Sequence, residues 1–123
     1  MDKSSANFVL QMTVLGCLGI STPFLYASPV SGTIKAQELA KKGLCVGCHS
    51  AGQSSVGPSF EQISERYKGV SNAKELLVGK IRNGGVGVWG AIAMPANRAN
   101  ISDADISTVV DWILTGKAST PNK

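Results

Sequence analysis

The chain has 123 residues, enough for one small domain, and its residues are 43% hydrophobic but only 6% aromatic, a thin core that a large apolar insert would help to complete. The net charge of +4 comes from scattered Lys and Arg, with no run longer than Lys41-Lys42, which argues against a nucleic-acid footprint.

Residues 1–27 read as an export signal. Lys3 supplies a positive start, Phe8 to Tyr26 is the apolar stretch, and a cut after Ala27 releases a chain beginning at Ser28. Two rivals remain open. Val14-Leu15-Gly16-Cys17 loosely resembles a lipoprotein box in which Cys17 is acylated, although apolar residues continue past it. An uncleaved membrane anchor is the other, since about twenty residues span a bilayer, although Gly16, Gly19 and Pro23 interrupt the stretch. All three readings put the functional domain outside the cytoplasm.

Residues 28–32 read as a flexible Ser/Pro/Gly lead-in. A first helix is expected over about 33–42, because Ala36, Leu39, Ala40, Gly43 and Leu44 recur at helical spacing and make one apolar stripe. Cys45-Val46-Gly47-Cys48-His49 follows directly. Cys-x-x-Cys-His is the attachment signature of c-type haem, in which two thiols form thioethers to the porphyrin and the His binds iron. On a helical turn, residues three and four apart share a face, so Cys45, Cys48 and His49 meet one flat ligand. A zinc half-site, a redox dithiol and a chance match are the other readings. Zinc wants four ligands, whereas His49 is the only His; a dithiol wants a βαβ setting, and none is visible. In a mature exported chain Cys45 and Cys48 would otherwise pair as a disulfide; haem capture uses both.

Ser50 to Ser59 is a loop rich in Ser, Gly and Pro, and Gly57-Pro58 in it is either an ordinary turn or the source of a carbonyl that accepts the second ring N–H of His49. Phe60, Ile63 and Tyr67 mark a short helix stopped at Lys68-Gly69. A longer helix is expected from Ser71 or Asn72 to Asn83, with Glu75 completing a capping box, Ala73, Leu76, Leu77 and Ile81 buried, and Gly84 as the stop.

Gly84 to Gly90 carries four glycines in seven residues, too many for a stable helix. No Gly-Lys-Ser/Thr follows to suggest phosphate binding; the stretch reads as backbone pressed against something flat, with Trp89 as a packed or hydrogen-bonding wall. Met94, in the Pro-bounded run Ala91 to Asn97, is either gap-filling core or the second iron ligand. It is the only Met after the leader and no second His exists. Ser102 opens the last helix with Asp105 at capping-box distance; Ile106, Val109, Val110, Ile113 and Leu114 form its core face, Trp112 is expected half exposed, and Gly116 stops it. Residues 118–123 are expected to fray.

Four elements thus occur in order: the haem motif, Gly-Pro in the next loop, Trp-Gly, and Met-Pro before a terminal helix. Together Cys-Val-x-Cys-His, Val-Gly-Pro, Ile-x-Asn-Gly and Gly-Val-Trp-Gly-x-Ile-x-Met-Pro-x-Asn resemble the class I cytochromes c, most closely the short bacterial monohaem group that donates electrons to nitrite reductases and terminal oxidases. The resemblance covers residues 33–117. It implies an all-α fold of four to five short helices around one covalent haem c, with the N- and C-terminal helices packed together. It implies thioethers at Cys45 and Cys48, axial ligation by His49 and Met94, a Pro58 carbonyl bonded to His49, Trp89 donating to a haem propionate with help from Lys80 or Arg82, and Asn97 orienting the sulfur of Met94. The relatives carry more proline around the Met, where this chain has Ala91, Ala93 and Ala96, and Arg98-Ala99-Asn100 lengthens the link to the last helix.

The function expected is a periplasmic one-electron carrier, not an enzyme, whose partners are redox proteins such as a reductase, dehydrogenase or terminal oxidase. A cytochrome c subunit of a larger oxidoreductase, a gas sensor or enzyme with Met94 off the iron, and a haem-free metal domain are the alternatives.

Overall fold

A computed structural model describes residues 29–119. The expected leader, Cys17, the cut after Ala27 and the last four residues of the tail lie outside them. Four helices and two 3₁₀ turns follow in order: α1 Pro29–Lys42, the turn Cys45–Gly47, α2 Phe60–Tyr67, α3 Ala73–Asn83, α4 Asp103–Leu114, and the turn Lys117–Ser119. No strand occurs among the described residues, only isolated bridges pairing His49 with Ser54 and Gly85 with Met94. None of the described helices is long and apolar enough to cross a membrane.

The hub is α4, which packs on α1, α2 and α3. Its Ile106, Val109 and Val110 are at most 1% exposed, and each such aliphatic side chain contributes roughly 1.5–3 kcal/mol by leaving water. The N- and C-terminal helices pack together, and Ala36 and Ala40 of α1 are both buried.

Several expectations change. α1 begins at Pro29 rather than near residue 33, taking in most of the expected lead-in; proline suits a first helical position because its missing N–H has no partner there anyway. Leu44 does not continue the apolar stripe. Gly43 N–H closes α1 on Leu39 O, the chain then turns through Leu44 at φ 57°, and its side chain is 71% exposed. Leu76 is exposed because Ala73, Leu77 and Ile81, four residues apart, already form the narrow face that α3 turns inward. Asn72 makes no side-chain cap: its φ −110°, ψ 25° are not the extended values that aim a capping oxygen at the first turn. Trp112 is buried rather than half exposed, because a helix packed on three sides hides a wider arc than one stripe. Ala118, expected in a frayed tail, is buried against the core in the second 3₁₀ turn.

The stronger cap is at α2. Ser59 Oγ accepts from Gln62 N–H at 3.1 Å while Gln62 Oε1 accepts from Ser59 N–H at 2.9 Å, a reciprocal box. The Ser-x-x-Gln spacing of Ser59 and Gln62 is the local pattern that encodes this box.

Candidate haem site

The motif is a single 3₁₀ turn rather than a stretch of α-helix. Cys48 N–H and His49 N–H both bond Cys45 O, at 3.2 and 2.9 Å. Cys45 is buried and Cys48 half-buried, and the two form no disulfide with each other. Burial pushes the Cys45 thiol above its ordinary pKa; a backbone hydrogen bond opposes this, and the neighbouring Cys48 adds to it.

The imidazole of His49 is held on three sides. Its Nδ1–H donates to Pro58 O at 2.7 Å, which fixes the tautomer and leaves Nε2 with its lone pair free. The Phe60 ring lies 5.8 Å away and 30° from parallel. Gly57 N–H bonds Cys48 O at 2.9 Å, bringing the loop backbone flat against the ring.

Cys45, Cys48, His49, Pro58, Trp89, Met94 and Asn97 all line one cavity of about 450 Å³. Apolar side chains from three helices complete it: Ile63 and Tyr67 of α2, Leu77 and Ile81 of α3, and Val109 and Ile113 of α4. Met94 is half-buried against the core. It exchanges two backbone hydrogen bonds with Gly85, at 3.0 and 2.9 Å, and Gly84 makes this possible by turning at φ 70° with no side chain to strike the Met94–Ala96 backbone. Asn97 is buried; its N–H bonds Ile81 O at 2.9 Å and its Oδ1 accepts from Asn100 Nδ2 at 3.0 Å. With the oxygen engaged, the amide NH₂ is the end left to donate.

Of the two basic residues expected near a propionate, Lys80 lines the cavity and lies over Gly85. Arg82 does not line it; it is bound to Asp103 at the start of α4, with Nε 2.8 Å from a carboxylate oxygen. Sequence reasoning missed Arg66, whose guanidinium carbon sits 4.6 Å from the centre of the Trp89 ring. The two are 23 positions apart, and no local pattern signals the contact.

The family described as cytochrome c matches residues 34–117, the greater part of the chain. The chain belongs to the cytochrome c family. Cytochrome c-552 of Nitrosomonas europaea is 45% identical over 89 residues, covering 72% of this chain and 85% of the relative. Cytochrome c2 of Rubrivivax gelatinosus is 44% identical over 78 residues, covering 63% and 92%. The crystal structure of wild-type Nitrosomonas europaea cytochrome c552 superposes with a TM-score of 0.62 at 45% identity, covering 65% of this chain and 98% of that one.

As a small class I c-type cytochrome, the protein is an electron carrier rather than an enzyme and carries one covalently attached haem c. Its own residues fit that group. The cavity has predominantly apolar walls, two cysteines outside any disulfide and an imidazole reach it from one turn, and that imidazole presents an uncommitted Nε2. A closed zinc site fits poorly: among the described residues no three His, Cys, Asp or Glu side chains cluster to hold a metal ion.

Proposed function

We propose that the protein is an exported, periplasmic one-electron carrier in which Cys45 and Cys48 hold the haem and His49 and Met94 are the axial ligands of its iron. The observation that carries this reading is the pairing of His49 Nδ1 with Pro58 O in a cavity that Met94 also lines. A ring fixed through Nδ1 can offer only Nε2, and with Cys45 and Cys48 committed to thioethers Met94 is the one Met after the leader that can supply a second soft donor.

Bound, haem supplies a one-electron couple at its iron. Every other role falls to side chains. Met94 contributes a neutral thioether, which favours the reduced state and raises the potential. Asn97, whose Oδ1 accepts from Asn100, has its NH₂ end left to orient that sulfur. Trp89 and Lys80, both on the cavity wall, would hold the propionate side, and the apolar walls would exclude water. Held by His49 and Met94, the iron would keep no position open to a substrate, so electrons would pass outer-sphere to docked redox partners such as a reductase, a dehydrogenase or a terminal oxidase. Export rests on the pattern of residues 1–27.

A visible spectrum followed through a reductant titration tests the ligand set. The expected result is a low-spin c-type spectrum, a sulfur-to-iron charge-transfer band in the oxidised protein, and a positive potential. Rapid CO binding to the reduced protein at neutral pH would remove Met94 from the iron. N-terminal sequencing of the protein from the periplasmic fraction tests export and the cut after Ala27.

A further inference from the structure

The loop between Gly85 and Met94 is anchored at its base by the bonds between those two residues. Beyond the base it carries an internal bond from Gly87 N–H to Gly90 O at 3.0 Å, positive φ at Gly87 and Gly90, and exposed side chains at Val86, Val88 and Ile92. Such a lobe has little burial of its own to keep it closed. Trp89 at its tip lines the cavity on one side and is 43% exposed. Arg66, in the last turn of α2, covers the ring at 4.6 Å. Arg66 takes no part in the three ion pairs among the described residues; the carboxylate beside it, Glu65, is paired with Lys68 at 3.7 Å.

We propose that Arg66 is a positioning residue, which stacks on Trp89 and holds the glycine-rich loop closed over the haem cavity. The proposal rests on Trp89 being a hydrogen-bond donor at the cavity wall, as read above. A guanidinium suits this contact because it is planar, weakly hydrated and always charged, so it lies flat on an indole while losing little hydration. Because α2 also supplies Ile63 and Tyr67 to the cavity, the contact ties two of its walls together. It also sets a fixed positive charge one ring away from the cavity, which favours the reduced state.

The test compares the haem-loaded protein with its Arg66→Gln and Arg66→Lys variants, reading indole N–H hydrogen exchange by NMR in the reduced state together with the reduction potential. The chain has two Trp residues, so Trp112, buried on α4, serves as an internal reference, and Trp89→Phe assigns the signals. In Arg66→Gln the Trp89 indole is expected to exchange about two- to fivefold faster, the size of one exposed cation–π contact, with Trp112 unchanged and a lower potential. Arg66→Lys should restore the potential but only part of the protection, since an ammonium does not stack. Unchanged Trp89 exchange in Arg66→Gln overturns the proposal, whatever the potential does, and so does equal acceleration of both indoles. If Trp89 in the parent already exchanges like a free indole, its donor role fails first, and Arg66 has nothing to hold.

Discussion

Gly57 lies against the imidazole of His49 so closely that a methyl group on its Cα would stand 2.7 Å from Cε1 and 3.0 Å from Nδ1. Ordinary contacts do not allow this, so Gly57→Ala must push away either the ring or the loop that carries Pro58. The expected cost is about 1–3 kcal/mol by denaturant unfolding. A weakened Nδ1–Pro58 bond makes His49 a poorer electron donor, so the potential should rise. Gly47→Ala is the control: nothing lies within 4 Å of its added methyl, and its effect should stay within about 0.5 kcal/mol. Equal behaviour of the two variants would contradict the role given to Gly57.

Gly84 offers a harsher test. It sits at φ 70°, ψ −157°, a region essentially reserved for glycine, and an added methyl would strike Met94 O and the Ala96 backbone. Both obstacles are backbone and cannot swing aside. Gly84→Ala should therefore cost at least about 2–3 kcal/mol and weaken the sulfur-to-iron band. Gly87→Ala, at φ 100° with no protein atom within 4 Å of its added methyl, should carry backbone strain of about 1–2 kcal/mol and weaken the band less than Gly84→Ala does.

The two helix starts should separate cleanly. Ser59→Ala removes the hydroxyl arm of a buried reciprocal box and should lower stability by about 1 kcal/mol. Asn72→Ala removes a side chain that caps nothing and should be near neutral. Thermal unfolding of both variants checks the contrast; comparable losses would contradict it.

Lys80 and Arg82 make the same point for charge. Lys80→Ala takes a cation from the cavity wall and should lower the potential, more so at low salt. Arg82→Ala breaks an exposed pair with Asp103, should cost no more than about 1 kcal/mol, and should leave the potential nearly unchanged. A larger potential shift in Arg82→Ala than in Lys80→Ala would reverse the assignment.

Ala96 stands where the resemblance leads one to expect proline. The backbone donors that tie this loop down are Gly85, Met94 and Asn97, so a proline at 96 removes none of those bonds. Ala96→Pro should stabilise by about 0.4–1 kcal/mol by restricting the unfolded chain. The sulfur-to-iron band should then persist to higher pH. Loss of the band at the same or lower pH would count against a softer Met loop in this chain.

Local chemistry was legible along the chain. Cys45 to His49 names its ligand through spacing alone, and the periodic apolar residues of α2 and α4 mark those helices, because such patterns depend on residues within a turn or two of each other. The residues themselves offered Pro58 and Met94, each beside a plainer reading, and the resemblance added Asn97; all three line the cavity with Cys45, Cys48 and His49. Where a reading depended on what packs against an element, it missed. Leu76 was expected inside and is exposed, and Trp112 was expected half out and is buried. Periodicity says which residues share a face but not how wide an arc the neighbours cover.

By itself, then, the sequence determined the haem motif, the helical content and the glycine-rich stretch before Met94, all written in short-range spacing. Only the tertiary structure decided that Lys80 and not Arg82 faces the cavity, that His49 is backed by Gly57 as well as bonded to Pro58, and that Arg66 lies on Trp89. Those contacts join separate segments of the chain, up to 23 positions apart, and arise when α2, α3 and the loops pack about α4. Their geometry is a property of that packing, which local spacing does not encode.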